Sequence, residues 1–490
     1  MDDLTPVITS IVNSSLSSGI FPEDLKHALI KPSLKKAGLD INQYANYRPI
    51  SNLSYLGKVI ERVAVGQIQT YLDQNSLHAP MQTAYRRHHS TELALLLVQN
   101  DILTALDNQD EAILVLLDFT AAFDVLDHDI LFHRLSSRYG ITGQAKKWFM
   151  SYMQGRSHSV MIKDIVSPPS YLECGVPQGS VAGPVIFTLY SAPLQDIISA
   201  HGVRSVVYAD DTQLYLTFNP TELDNAIKRI EACIRDVRTW CNSNKLVLND
   251  SKTEIIHFTS KFRKQASPPC SITAGDTVIP TSTRVRNLGA IMDSSLTMVD
   301  HVNIRCKAAM SAIRKIGQIR HYLDRETTLK LTTAFVTSRL DFCNSLVFGL
   351  PDCQIAKLQR VQNTAARLVL GLPKREHAHP MLQQLHWLPV QQRAQFKILL
   401  ITYKALHGKT PAFISNLIRK YIPRRSLRSS AELLLEMPTC PRTKFYGERS
   451  FAIAAATQWN RLPTEIRHVN SVQQFKTKLK THLFRQCYHC

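Results

Sequence analysis

The stretch that most constrains this chain is the run Ala112-Ile-Leu-Val-Leu-Leu117, closed by Asp118. Its apolar residues follow one another without a polar alternate, over the length of a strand. Such a run fits a strand buried on both faces. Residues 205–216, SVVYADDTQLYL, pose a related problem. Two adjacent carboxylates, Asp210 and Asp211, stand at the tip of an apolar hairpin. Like charges side by side are costly unless something positive neutralises them. Either water does so, on a solvated surface turn, or a metal ion does.

The neighbouring pattern supplies the rest of the frame. Residues 1–30 read as helical, with Pro22 opening a second helix, and KPSLKKAG reads as a basic loop. NYRPISNL begins extended and passes into an amphipathic helix. STELALLLVQND reads as a helix capped by Ser90 or Thr91, with Glu92 in its first turn. After the apolar strand, Asp124 is expected to open the next helix, which continues around DHDILFHRLSSRYG. SHSVMIKD and SYLECGVPQG are predicted strands, and a helix starts at Pro184. Beyond the hairpin, residues 221–244 form an amphipathic helix. KTEIIHFTS and VRNLGAIMD read as strands, separated by a Pro- and Ser-containing surface loop. From about residue 297 the pattern is almost purely helical. The order is α, then α+β, then all-α, with no internal repeat.

Charge is distributed unevenly. The 490-residue chain carries 58 Lys and Arg against 39 Asp and Glu, a formal net charge of +19. Residues 351–490 hold 23 of the basic and 6 of the acidic residues, a net +17. The front of the chain is therefore balanced, while the last third has the electrostatic footprint of a nucleic-acid binder. Trp387, Tyr403, Tyr421, Phe445 and Trp459 are interleaved with those cations and are candidates for stacking on bases. The acidic N-terminus lacks the features of a signal peptide, and no apolar run reaches the roughly 20 residues that span a bilayer. The ten cysteines are scattered, which suits a reduced compartment. Only Cys487 and Cys490 form a tight pair, near His482 and His489, and no second ligand pair stands at a zinc-site spacing. His88-His89 resembles a metal pair but follows Arg86-Arg87, and reads as a solvated or RNA-facing helix entry.

Three segments belong together: VLLDFTAAFD, GVPQGSVAGP and the Asp-pair hairpin. An Asp ending one buried strand and two on a hairpin turn converge when the strands are neighbours in one sheet. The product is an all-oxygen site suited to Mg²⁺. Two such ions about 4 Å apart clamp the attacking and leaving oxygens of an in-line phosphoryl displacement.

These segments, with NYRPISNL, LVLNDSKTEII, RNLGAIMD, SRLDFCNSLVFGLP, LQRVQNTAARLV and WNRLP, resemble in order the reverse transcriptase of LINE-type non-LTR retrotransposons, in the Jockey and chicken-repeat group. The resemblance covers essentially the whole chain. It implies an α+β right-hand polymerase: fingers over 1–110, palm over 111–295, helical thumb over 296–350, and a mainly helical basic C-terminal region over 351–490. By the same resemblance Asp118, Asp210 and Asp211 hold Mg²⁺, with Mn²⁺ as a substitute. Arg48, helped by Lys31, holds triphosphate oxygens. Phe123 packs under the incoming sugar, although the residue by itself also reads as core. Gln178 and Gly179 contact the incoming nucleotide and template. Lys252 is the candidate general acid for the departing pyrophosphate. Leu288 and Gly289 lie in the primer-gripping hairpin.

Ala84-Tyr85 stands where the family pattern has Gly-Phe, and Ala182 where Leu is usual; both bear on nucleotide or template positioning. The expected partners are template RNA, primer DNA and dNTPs, with no membrane, in a ribonucleoprotein of nucleus and cytoplasm. About twenty residues precede the match, so the endonuclease that family members carry is expected to be lacking, and the nick to be supplied separately. The competing reading is a catalytically silent or repurposed RNA-binding protein on the same fold.

Overall fold

The computed structural model describes residues 4–263, 270–275, 277–423, 433–438 and 440–488. Two sheets frame the site. In the first, β1 (His27–Leu34) pairs antiparallel with β2 (Tyr47–Asn52) and parallel with the strand Ser157–Ile162. The second is the four-stranded antiparallel sheet of β3 (Glu111–Leu117), β4 (Arg204–Tyr208), β5 (Asp211–Phe218) and β6 (Glu254–Phe258), in the order β6-β3-β5-β4.

The apolar run explains itself in this sheet. β3 lies between β6 and β5, and Ala112 to Val115 are each 0% exposed. Its side chains alternate between two cores. Ile113, Val115 and Leu117 join the cluster under the helices Gly183–Ser191 and Leu223–Ser243. Ala112 and Leu114 join the cluster formed with the helices Thr91–Asp107 and Val299–Ile319. Neither face is left for water, so every position must be apolar. Burying each larger side chain contributes about 1.5–3 kcal/mol.

Local signals set several helix ends. The Ser90 hydroxyl accepts from the Leu93 amide at 3.3 Å, which fixes Ser90 rather than Thr91 as the cap. The helix His128–Ser137 is capped by Asp127, whose carboxylate accepts from the Ile130 amide at 2.9 Å. Asp124 therefore does not open that helix; its carboxylate takes both of its side-chain hydrogen bonds from Gln178.

Two expectations near the N-terminus are corrected. Only Leu4–Ser18 is a long helix there. Pro22 precedes a single 3₁₀ turn, and His27–Leu34, which includes the first half of the expected loop, is β1. The helical spacing of that segment is overridden by strand partners on both sides, distant in sequence. In SYLECGVPQG only Ser170–Tyr171 is extended in a ladder; the rest is the loop that builds the site. VRNLGAIMD is not one strand but a hairpin, β7 (Arg284–Asn287) and β8 (Ala290–Asp293).

From Val299 onward helices dominate. The helix Val299–Ile319 packs on Asp352–Leu370, and Val390–Leu406 packs on Phe451–Asn460 and Val472–Tyr488. One apolar cluster runs from the sheet through all but the last of these, so the core continues across residues 350 and 351. Tyr403 and Trp459 are each 0% exposed and stack against Phe475, at 4.1 and 6.0 Å between ring centroids. They fill the core and are closed to bases, whereas Tyr421 is exposed. No helix of the described residues is long and apolar enough to cross a membrane. His489, Cys490 and residues 264–269, half of the Pro/Ser loop, lie outside the described residues.

Candidate active site

The sheet brings the three carboxylates to one end. Leu117 of β3 pairs with Thr212 of β5, so one step further Asp118 stands across from Asp211. Tyr208 pairs with Asp211, and Ala209-Asp210 make the two-residue turn between β4 and β5. Ala209 has φ +60°, as the first position of a type II′ turn requires. Strain there is of order 1–3 kcal/mol for a residue with a Cβ, and it aims both carboxylates at the end of the sheet.

Charge is crowded at this end. Loss of water raises the Asp210 carboxyl above the ordinary range, Asp118 adds to the rise, and Arg48 opposes it. Asp211 keeps an open surface, yet enough protein surrounds its carboxyl to strip part of its water; with Asp210 and Asp118 it is pushed up to about 6. Lys252 places its ammonium 3.2 Å from Asp118 Oδ2. It is held there because the strand Val247–Leu248 pairs with Phe119-Thr120 and the Asn249 amide donates to the Asp118 carbonyl at 2.8 Å. Both partners are partly exposed, so the pair adds at most about 1 kcal/mol of stability and its significance is position.

The hairpin tip rests on a segment that motif reading passed over. Thr83 donates to the Val207 carbonyl through both its amide and its hydroxyl, each at 2.8 Å, and the Val207 amide donates to the Met81 carbonyl at 3.0 Å. Gln82, 4% exposed, accepts from the amides of Ala84 at 3.0 Å and Ala209 at 3.2 Å. The signal in the sequence was slight: two polar residues, Gln82 and Thr83, in a segment with no periodicity. The departure at Ala84-Tyr85 lies in this same support, and Tyr85 is close enough to Asp210 for its hydroxyl to be pushed up, first by burial and then by that charge.

The GVPQG loop lies on the loop that follows Asp118. Val176 donates to the Phe123 carbonyl at 2.8 Å, and Gly175 donates to the Leu126 carbonyl at 2.7 Å. Gly175 has φ +81°, and a Cβ would stand 2.5 Å from the Asp124 carbonyl oxygen. Gly179 has φ +109°, and a Cβ there would meet the Ser51 carbonyl at 3.0 Å. Only glycine suits either position. The Gln178 side-chain amide donates to both Asp124 oxygens at 3.0 Å, while the Gln178 backbone carbonyl accepts from the Ser51 amide at 2.8 Å. Gln178 thus ties β2 to the Phe123 loop. Phe123 is half-buried and packs on Phe187 at 4.8 Å, leaving part of the ring open.

Arg48 and Lys31 are exposed on one face of the first sheet, since the register pairs Ser33 with Arg48 and Lys31 with Ile50. Arg48 is near enough to be felt by Asp210. Leu288 and Gly289 form the turn between β7 and β8, with φ +42° and +85°. That hairpin is tied to β5 by Asn287, which donates to Gln213 at 2.7 Å, a buried amide pair that the strand pattern did not single out.

The donor set fits a hard divalent cation: three carboxylates, oxygen only, whose mutual repulsion a cation relieves and one of which already attracts an ammonium. Among the described residues no three acidic, imidazole or thiol side chains close on a single point as they lie, so the carboxylates share an end of the sheet rather than a finished cage.

The sequence profile of the reverse transcriptase (RNA-dependent DNA polymerase) family matches residues 34–292, more than half of the chain. The chain is 28% identical over 370 residues to a probable RNA-directed DNA polymerase from transposon X-element of Drosophila melanogaster, covering 74% of this chain and 40% of that protein. It is also 28% identical over 374 residues to the RNA-directed DNA polymerase from mobile element jockey of Drosophila funebris, with the same two shares. It thus spans about 40% of the length of these relatives. Among solved structures, apo telomerase from Candida tropicalis superposes with a TM-score of 0.41 and 12% identity, over 78% of this chain and 70% of that one. With its sheet, its α+β order and its helical C-terminal region the chain has the right-hand polymerase fold, and it belongs to the reverse transcriptase family.

Proposed function

We propose that the chain is the RNA-directed DNA polymerase of a non-LTR retrotransposon, extending a primer 3′-hydroxyl on an RNA template. The observation that carries this reading is that the β3–β5 ladder ends at Leu117 and Thr212, next to Asp118 and Asp211, with Asp210 on the adjoining turn and all three near enough to feel one another's charge. The 3′-oxygen attacks the α-phosphorus of a dNTP, the bond to the bridging oxygen breaks, and pyrophosphate leaves. Asp118, Asp210 and Asp211 would hold Mg²⁺, or Mn²⁺ in its place, which when bound would supply positive charge to the displacement.

The chain's own groups do the rest. Arg48 and Lys31 hold the triphosphate from the first sheet. Phe123 supports the sugar, and Gln178 and Gly179 set the nucleotide against the template. Lys252, beside Asp118, donates a proton to the departing pyrophosphate. Leu288 and Gly289 hold the primer. The fingers, palm and thumb follow 1–110, 111–295 and 296–350, with 351–490 gripping nucleic acid. The primer end is that of a nicked DNA strand, and the working particle is a ribonucleoprotein of nucleus and cytoplasm.

The test is primer extension on an RNA template with dNTPs and Mg²⁺. Extension by the native chain and at least 100-fold less by Asp210→Asn, a loss in the range expected for removal of a group that stabilises transition-state charge, supports the reading. Absence of extension by a folded native chain that still binds RNA overturns it and favours a silent binding protein.

A further inference from the structure

A cavity of about 420 Å³ opens between the helices Val390–Leu406 and Val472–Tyr488 and the turn His386–Leu388. That volume lies within the roughly 300–1,000 Å³ of small-ligand sites. Its walls combine His386, Trp387 and Phe396 with Lys397, Lys476 and Lys480.

The anions nearby are already used. Asp341 accepts a two-point contact from Arg393. Glu92 takes Lys397 on one oxygen at 3.1 Å and the Ser345 amide and hydroxyl on the other. Lys476 and Lys480 have no ion-pair partner among the described residues, and they sit four apart on one helix face, where like charges repel. Lys404 adds to the crowding; it holds its proton less tightly than usual, first from burial and then from Lys476 and Lys397. Lys476 and Lys480, left over once those pairs are made and set beside aromatic rings, match a phosphodiester with an unstacked base.

The cluster also connects to the acidic end of the sheet. His88 is close enough to Arg87, Lys404 and Lys409 for their charges to oppose its protonation, after burial. His89 packs edge-on against Phe413, which follows Lys409 in the same turn region. Three residues before His88, Tyr85 feels the charge of Asp210. Tyr85, Arg87 and His88 are exposed, so an open surface lies between the carboxylates and the lysines beside the cavity.

We infer that the cavity lined by Trp387, Lys476 and Lys480 is a second nucleic-acid site, which takes one unpaired nucleotide of a single strand running along residues 85–89 to the catalytic end. The inference rests on the nucleic-acid reading above and adds where the strand goes. RNA and DNA share this chemistry, so both are tested.

The experiment measures binding of the full chain to fluorescein-labelled single-stranded U20 and dT20 by anisotropy, from 50 to 300 mM salt. Neutralising Lys476→Gln and Lys480→Gln together is expected to weaken binding about tenfold. The slope of log affinity against log salt should fall by about 1.4, at ~0.7 per phosphate on a single strand. Trp387→Phe should remove most of the tryptophan quenching that the oligonucleotide causes, because Trp148 and Trp459 are buried and Trp240, half-buried, lies under the Arg134 guanidinium. The strand weakened more by the double substitution is the one the cavity takes; equal weakening means that it takes either. A loss no greater than that of Lys146→Gln/Lys147→Gln, which removes the same charge from the helix Gly143–Met153, would overturn the inference. Failure of the native chain to extend a primer strikes the polymerase reading instead and leaves this measurement standing.

Discussion

Gln82 accepts a hydrogen bond from the Ala209 amide at 3.2 Å, and so reaches across 127 residues to hold the turn that carries Asp210. The same oxygen accepts from Ala84 at 3.0 Å, and the side chain is 4% exposed. A buried oxygen that serves two amides has no water to replace it.

Gln82→Leu keeps the bulk and removes the one acceptor that serves both amides. Each buried amide left without a partner costs about 1–3 kcal/mol, so we expect the two to cost about 2–6 kcal/mol in urea unfolding. Primer extension should slow more than nucleotide KM changes, since the turn rather than the triphosphate site is disturbed. Gln82→Glu retains an acceptor and should recover most of the rate. A Gln82→Leu protein with native stability and native rate would show that the segment 81–84 is no support.

The carboxyl of Asp211 gives a pH dependence whose sign is fixed. Its folded pKa of about 6 lies above the ordinary value of 3.8. The folded state therefore holds the proton more tightly than the unfolded chain. The site's contribution is favourable below about pH 4 and is lost as pH rises through 6. In metal-free protein, Asp211→Asn should remove this loss and be more stable than the native chain at pH 7. Because the residue is exposed, solvent screening limits the gain to about 1 kcal/mol. Mg²⁺ should stabilise the native chain and act less on the variant. Thermal unfolding at pH 4.5 and 7, with and without Mg²⁺, measures all four values; a variant less stable than native at pH 7 without metal would refute the account.

How far the sequence carried this description depends on the range of the forces involved. β3 was legible because burial on both faces leaves an unbroken apolar signature over Ala112–Leu117. The Asp pair was legible because a two-residue turn between apolar strands is local. β1 was not, because its strand character comes from partners at Tyr47–Asn52 and Ser157–Val160, which no window over His27–Leu34 contains. Tyr403 and Trp459 misled for a similar reason. Lysines and arginines nearby in sequence suggested a base-stacking surface, while the helix faces turn those rings onto Phe475. Gln82, and the pair of Gln213 with Asn287, act through single long-range hydrogen bonds, which leave no periodicity to read.

Gly175 makes the sharpest demand on local structure. Its φ of +81° already disfavours a side chain, and a Cβ would lie 2.5 Å from the Asp124 carbonyl oxygen, a backbone atom that no rotamer change can move. In Gly175→Ala the loop must lift off the Phe123 segment. The hydrogen bonds from the Gly175 amide to the Leu126 carbonyl and from the Val176 amide to the Phe123 carbonyl would stretch, and Gln178 would draw away from Asp124. Overpacking and a left-handed alanine together predict a loss of about 2–4 kcal/mol. Where the protein still folds at 15 °C, the KM for dNTP should rise at least fivefold, because Gln178 and Phe123 no longer share one frame. Asp124→Asn supplies the comparison. It keeps an oxygen for the Gln178 amide and creates no collision, so its KM should rise by no more than about threefold, the modest loss expected when a charge-assisted hydrogen bond becomes a neutral one. If Gly175→Ala folds and its KM matches that of Asp124→Asn, the loop does not position the nucleotide and the role given to Gln178 is wrong.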